Sequence, residues 1–173
     1  MNMNSLMKAY LKYLVLCLYL LVVVPCAAIE EGKAAPEFHA KLFNGEKFSL
    51  AAVSGQVVII HFWATWCEPC RVEMPLLEDL YKRHHAEGLQ IVAVSMDSPK
   101  DEAKARELMK SFSFSGSIAR DASFKSYGRI WKVPMTFLID RKGILQKDAW
   151  KLKHDMMAAD LENTVNPLLK SKP

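Results

Sequence analysis

The chain has 173 residues, 51% of them apolar, and a formal net charge of +4. That length favours one folded domain. Its basic and acidic residues are interspersed without a long block, so nothing in it supports nucleic-acid binding.

The first 28 residues stand apart. Lys8 and Lys12 are the only charges before Glu30, and they precede an apolar run from Tyr13 to Val24 that matches a signal-peptide core. Pro25 breaks the run, and Cys26-Ala27-Ala28 places small residues where a signal peptidase wants them. The expectation is a signal peptide over 1–28, cleaved after Ala28, and an exported protein. The alternative is an uncleaved anchor, for which residues 13–28 fall slightly short of the about 20 apolar residues that span a bilayer. Lipid modification at Cys26 is disfavoured by Pro25. Residues 29–35 read as a linker and 36–170 as the folded domain. The roughly 145 residues beyond the leader carry a net +2 once Lys8 and Lys12 are removed, and suffice for a substantial core.

His39 to Leu50 reads as a hairpin around Asn44-Gly45, a strong turn signal. Val57 to Trp63 is a continuous apolar, β-branched run, hence a central buried strand. Ala64 to Cys67 is a turn. A helix is predicted from about Pro69 to His85, with Met74, Leu77, Leu80 and Tyr81 on one face, kinked by Pro75 and ended by Gly88. Leu89 to Met96 is a second strand. Pro99 to Phe112 reads as an amphipathic helix capped by Ser98, and Ser123 to Trp131 as a short helix. Met135 to Asp140 and Ile144 to Trp150 form a hairpin about Arg141-Lys142-Gly143, and His154 to Leu169 a terminal helix. Strands alternating with helices define an α/β domain, and the late hairpin makes its sheet mixed.

Of the four cysteines, Cys17 and Cys26 lie in the leader, so the domain keeps Cys67 and Cys70. One closely spaced pair is no stabilising framework, and a loop this short removes little entropy from the unfolded chain. At the junction of a strand and a helix, this spacing lets the two sulfurs bond and separate without moving the backbone. Zinc needs two more ligands, and no second Cys or Cys/His pair offers them. The pair therefore reads as redox-active, with no metal and no cofactor. Cys67 sits at the helix's N-terminal edge, where free N–H groups and the macrodipole favour a thiolate, the reactive species. It is the expected nucleophile, and Cys70, one turn inside, the more buried resolving thiol. Pro69 fixes the backbone at the helix start. Glu68 puts a negative charge beside the Cys67 sulfur, which disfavours the thiolate and makes the couple more reducing.

The run from Phe62 to Pro75, Phe-Trp-Ala-Thr-Trp-Cys-Glu-Pro-Cys-Arg-Val-Glu-Met-Pro, closely resembles the TlpA/ResA-like thiol–disulfide oxidoreductases, a membrane-associated branch of the thioredoxin superfamily. Val133 to Asp140 looks like their second signature, and the resemblance covers roughly Pro36 to Leu169. It implies a thioredoxin-like fold with a central mixed sheet, flanking helices and an N-terminal β-hairpin. It also implies a cis Val133–Pro134 bond lying against the cysteines, with residue 133 offering its backbone to an extended substrate. Glu73 matches a carboxylate that relatives place near the site, where it would exchange a proton with Cys70. Asp97 is a second acid near the site, equally able to cap the turn before Pro99; relatives often carry the acid one position later, where this chain has Ser98. Trp66 is expected to shield the sulfur and, with Pro69, Val133 and Pro134, to meet substrate. Trp63 and His61 read as packed, and Arg71, His84 and His85 as solvated. The methionines read mainly as packing residues, with Met74, Met96, Met109 and Met135 on apolar faces.

With the leader, the resemblance implies an exported reductase of specific protein disulfides, of the kind serving cytochrome c maturation or copper-site assembly, and a monomer is expected. It would be recharged by a membrane electron donor and act in the periplasm or on the outer face of the cytoplasmic membrane, with membrane association possible through residues 13–28. Two alternatives stand beside it. One is a peroxiredoxin-like peroxidase, although position 64 is Ala where such sites place threonine. The other is a non-enzymatic copper(I) chaperone using both thiolates.

Overall fold

A computed structural model describes Lys12, residues 29–148 and residues 158–172. The predicted leader, apart from Lys12, and the start of the predicted terminal helix lie outside these residues. No helix among the described residues is long and apolar enough to cross a membrane.

Seven strands form one mixed sheet in the order β2-β1-β5-β4-β3-β6-β7. They are β1 (His39–Leu42), β2 (Lys47–Ser49), β3 (Val57–Trp63), β4 (Leu89–Ser95), β5 (Ser115–Ser123), β6 (Met135–Ile139) and β7 (Leu145–Lys147). The helices are α1 (Glu68–His84), α2 (Glu102–Met109) and α3 (Ala158–Lys170). Strands β3, β4 and β5 run parallel and step across the sheet in one direction. The helices of the two crossovers, α1 and α2, pack on the same face, as crossovers of one hand in one direction require.

β3 is buried along its whole length, so both of its faces carry apolar side chains. Val57, Ile59 and Trp63 face the layer of helices, packed with Met74, Leu77 and Leu80 of α1, Met109 of α2 and Val165 and Leu169 of α3. Val58, Ile60 and Phe62 face a second layer with Phe38, Tyr127 and Phe137. Edge-to-face contacts knit this second layer, among them Phe62–Phe124 at 5.0 Å and Tyr127–Phe137 at 5.0 Å between centroids. Such pairs add to plain area burial. Arg141 ties the amino-terminal end of the sheet, donating to the carbonyls of Gly55, Glu87 and Leu169.

The hairpin at Asn44-Gly45 forms as expected, with Gly45 at φ 91°, a conformation that costs a glycine little. Four expectations need correction. The helix expected over 99–112 spans only Glu102–Met109, and Ser98 bonds the Asp101 carboxylate instead of capping it. The short helix expected over 123–131 shrinks to a 3₁₀ turn at Lys125–Tyr127, because residues 115–123 are drawn into a strand, β5, paired on both edges. The strand expected over 144–150 spans Leu145–Lys147. Part of the expected linker is held against β7: Gly32 donates to the Leu145 carbonyl at 2.8 Å, Leu145 donates to that of Lys33 at 2.9 Å, and Ala35 donates to that of Gly143 at 2.8 Å. Helix α1 runs through Pro75 from Glu68 to His84.

Candidate active site

β3 ends at Trp63, and the chain turns through Ala64-Thr65-Trp66 into α1 at the carboxyl edge of the parallel strands, the edge at which open α/β sheets place ligands. Cys67 is the N-cap of α1, and its sulfur accepts the Cys70 amide at 3.2 Å. Cys67 and Cys70 are joined by a disulfide, with Cα atoms 5.3 Å apart. Cys67 keeps 4% of its surface and Cys70 none, so the order of exposure is the one expected of an attacking and a resolving sulfur. Glu68 and Pro69 are exposed beside them.

The strand pairing explains the second half of the site. Met135 lies opposite Phe62 in the β3–β6 ladder. β6 begins at Met135, so Val133–Pro134 comes just before it, at the end of β3 from which the cysteine turn starts. The Val133–Pro134 bond is cis, and Val133 packs on the apolar cluster that contains both cysteines. Trp66 stands 69% exposed, in solvent rather than packed down as a cover, while Trp63 is fully buried.

Asp97 does more than either expected role. Its carboxylate accepts from the Thr65 amide (2.9 Å), the Thr65 hydroxyl (2.7 Å) and the Ser95 hydroxyl (2.7 Å). A buried charged acceptor with three donors is well satisfied, and here it fastens the end of β4 to the loop that carries Trp66 and Cys67. Nothing in the sequence pairs Thr65 or Ser95 with Asp97. The signal available there was an acid two residues beyond a strand-end serine, which by itself names no partner across the sheet.

Glu73 is half-buried on α1, with no hydrogen bond among the described residues, and burial pushes its carboxyl up to about 7. His61 is packed as expected, fully buried, with Nδ1 2.9 Å from the Thr136 hydroxyl, and burial pulls its imidazole down to about 4. His84, expected in solvent, is half-buried and lies 3.1 Å from Glu87; Arg71 and His85 are exposed. Met74, Met109 and Met135 are buried, and Met96 is partly so.

His61 and Glu73 tilt stability in opposite directions over almost the same pH window. The unfolded imidazole titrates near 6.5, so below that pH the unfolded chain binds the proton that the folded chain refuses. This costs about 3 kcal/mol by pH 4. The folded chain instead holds a proton on Glu73 from about 4.5 to about 7, so that contribution is whole below 4.5 and is lost as pH rises through 7. Partial exposure of Glu73 makes its share the smaller. Urea melts from pH 4 to 8 check both signs. His61→Asn should lose less stability than the parent on acidification, and Glu73→Gln should lose less on going from pH 5 to 8. A variant curve parallel to the parent's would contradict the corresponding assignment.

Fold and site together define a thioredoxin-fold thiol–disulfide oxidoreductase. The sequence model of the AhpC/TSA family matches residues 32–148, and the chain belongs to that family. It is 38% identical to thioredoxin-like protein YneN of Bacillus subtilis over 68% of this chain and 70% of that protein. It is 30% identical to thiol-disulfide oxidoreductase ResA of Bacillus cereus over 83% of this chain and 86% of that protein. Among solved structures, the thioredoxin domain of a thiol-disulfide oxidoreductase from Bacteroides vulgatus is 28% identical, with TM-score 0.66, covering 83% of this chain and 100% of that one. StoA from Bacillus subtilis is 26% identical, with TM-score 0.59, covering 77% of this chain and 99% of that one. The resemblance read from the cysteine and Val133–Asp140 runs is thereby borne out.

Proposed function

We propose that this protein is exported and reduces disulfides in specific protein partners, drawing its electrons from a membrane donor. What carries the reading is the site itself: a sulfur at a helix N-terminus bonded to a second, more deeply buried sulfur one turn on. In the reduced form the Cys67 thiolate attacks one sulfur of a partner cystine, and the other sulfur leaves as a thiolate that takes a proton. The Cys70 thiolate then attacks the Cys67 sulfur, releasing the second partner thiolate. Two electrons pass to the partner, whose two thiolates take the Cys70 proton and one from solvent, and Cys67–Cys70 is left oxidised. Glu73, poised near neutrality, takes the Cys70 proton before that second attack. Trp66, Pro69, Val133 and Pro134 frame the approach of the partner's chain, and Val133 supplies backbone groups for strand-like docking. Partners in cytochrome c maturation or copper-site assembly fit this chemistry, as does recharging by a membrane dithiol.

Glu68 biases the couple slightly toward reduction by opposing the thiolate. Equilibration with glutathione should give a potential nearer the about −270 mV of reducing dithiols than the about −120 mV of strong oxidants. Glu68→Gln should move it about 10 mV upward, the scale of one exposed charge. A potential at the oxidising end would refute the reductive direction. The peroxidase reading is disfavoured at position 64, which is Ala where such sites place threonine, and the adjacent Thr65 hydroxyl is bonded to Asp97. Anaerobic copper(I) titration beside an insulin-reduction assay separates the chaperone reading from a reductase.

A further inference from the structure

Exposed apolar side chains and cations occur together around the cysteine site in the sequence and fold. Among the described residues, three large apolar side chains stand exposed: Trp66 at 69%, Val72 at 64% and Trp131 at 62%. Trp66 and Val72 flank the disulfide in the chain, and Trp131 is linked to it through Val133. Trp66 precedes Cys67, Val72 lies in the first turns of α1, and Trp131 stands two residues before Val133, which packs on the cysteine cluster. The topology explains why Trp131 is there. β5 and β6 are separated by β4 and β3 in the sheet, so residues 124–134 must cross the carboxyl edge of those strands. Phe124, Tyr127 and Ile130 anchor the crossing in the second apolar layer, and Trp131-Lys132 lead directly into Val133, which packs on the cluster that holds both cysteines.

The same crossing carries Lys125, Arg129 and Lys132 and no acid. Arg71 adds a fourth cation on the first turn of α1. Lys132 lies 5.0 Å over the Trp131 ring. None of the four meets a carboxylate among the described residues, whereas Lys82 and Arg83 of α1, and Lys104 and Arg106 of α2, each do. The acids of the rim are Glu68, exposed, and Glu73, half-buried.

We propose that Arg129, Trp131 and Lys132, with Arg71 and Trp66, form the docking rim for the partner, and that the partner carries acidic and apolar residues next to its cystine. This rests on the dithiol reading above and names its substrate class. Unpaired cations around an attacking sulfur raise the encounter rate with acidic chains, and salt screens the effect.

The test uses the reduced protein and three synthetic peptides with the same disulfide ring, flanked by Asp-Leu, Ser-Leu or Lys-Leu. At about 20 mM salt the Asp peptide should be reduced about tenfold faster than the Lys peptide, and the gap should close at about 500 mM. R129Q/K132Q should narrow the ratio, and R129E/K132E should reverse it. Equal rates for the Asp and Lys peptides, or a ratio that both variants leave unmoved, would overturn the rim while the dithiol chemistry stands. Failure to reduce even the Ser peptide would overturn both.

Discussion

Cys67→Ser should reduce no disulfide above background, a loss on the order of 10³-fold or more, as expected when the nucleophile of a covalent mechanism is removed. Cys70→Ser should behave differently. Its first attack is intact, because the sulfur at the helix N-cap remains, but the mixed disulfide has no resolving thiol. A single turnover with a peptide disulfide should therefore give a stable adduct on Cys67, read by intact mass. Turnover by Cys67→Ser, or adducts formed equally by both variants, would mean the roles are not divided as the burial difference implies.

Asp97→Ala should be among the most destabilising single changes that leave the cysteines in place. It removes the acceptor of three donors at once, two of them on Thr65 in the loop that presents Cys67. Hydrogen bonds to a charged group contribute about 1.5–3 kcal/mol each, and donors left buried without a partner cost more. Some relax toward water, so a net loss of about 3 kcal/mol is expected, or about 6–12 °C in melting temperature at this size. Calorimetry measures it. Asp97→Asn keeps the shape and part of the acceptor capacity and should lose about half as much. If Asp97→Ala melts within about 1 °C of the parent, the clamp on the cysteine loop does not exist.

How much of this could be read in the residues follows from where the information sits. β3, β4, β6 and α1 announce themselves because side-chain pattern and burial agree in them. The register of the cis bend against the cysteine turn then follows from Phe62 meeting Met135. β5 was illegible. Ser-Gly-Ser-Ile-Ala-Arg-Asp-Ala-Ser shows neither period nor apolar run, and it is a strand because β1 and β4 offer hydrogen bonds on both sides. Its Gly116 is needed there, since a Cβ would meet Met109 and Phe43 at 2.9 Å. Losing residues 115–123 to the sheet also removed the helix expected to begin at Ser123. In the site, the Cys67–Cys70 pairing and the cis Val133–Pro134 bond were legible from spacing and resemblance. The Asp97–Thr65 clamp was not, because it joins residues 32 apart whose proximity only the sheet creates.

The most direct test is pH-resolved alkylation of the freshly reduced protein, with each cysteine followed by peptide mass. The predicted result is that Cys67 is modified first, with a rate that has risen to its plateau below the about 8.5 of an ordinary thiol, while Cys70 lags. Two sulfurs that stay bonded under dithiol reductants, or that resist reagent alike at every pH, would contradict the claim that this pair is the working centre.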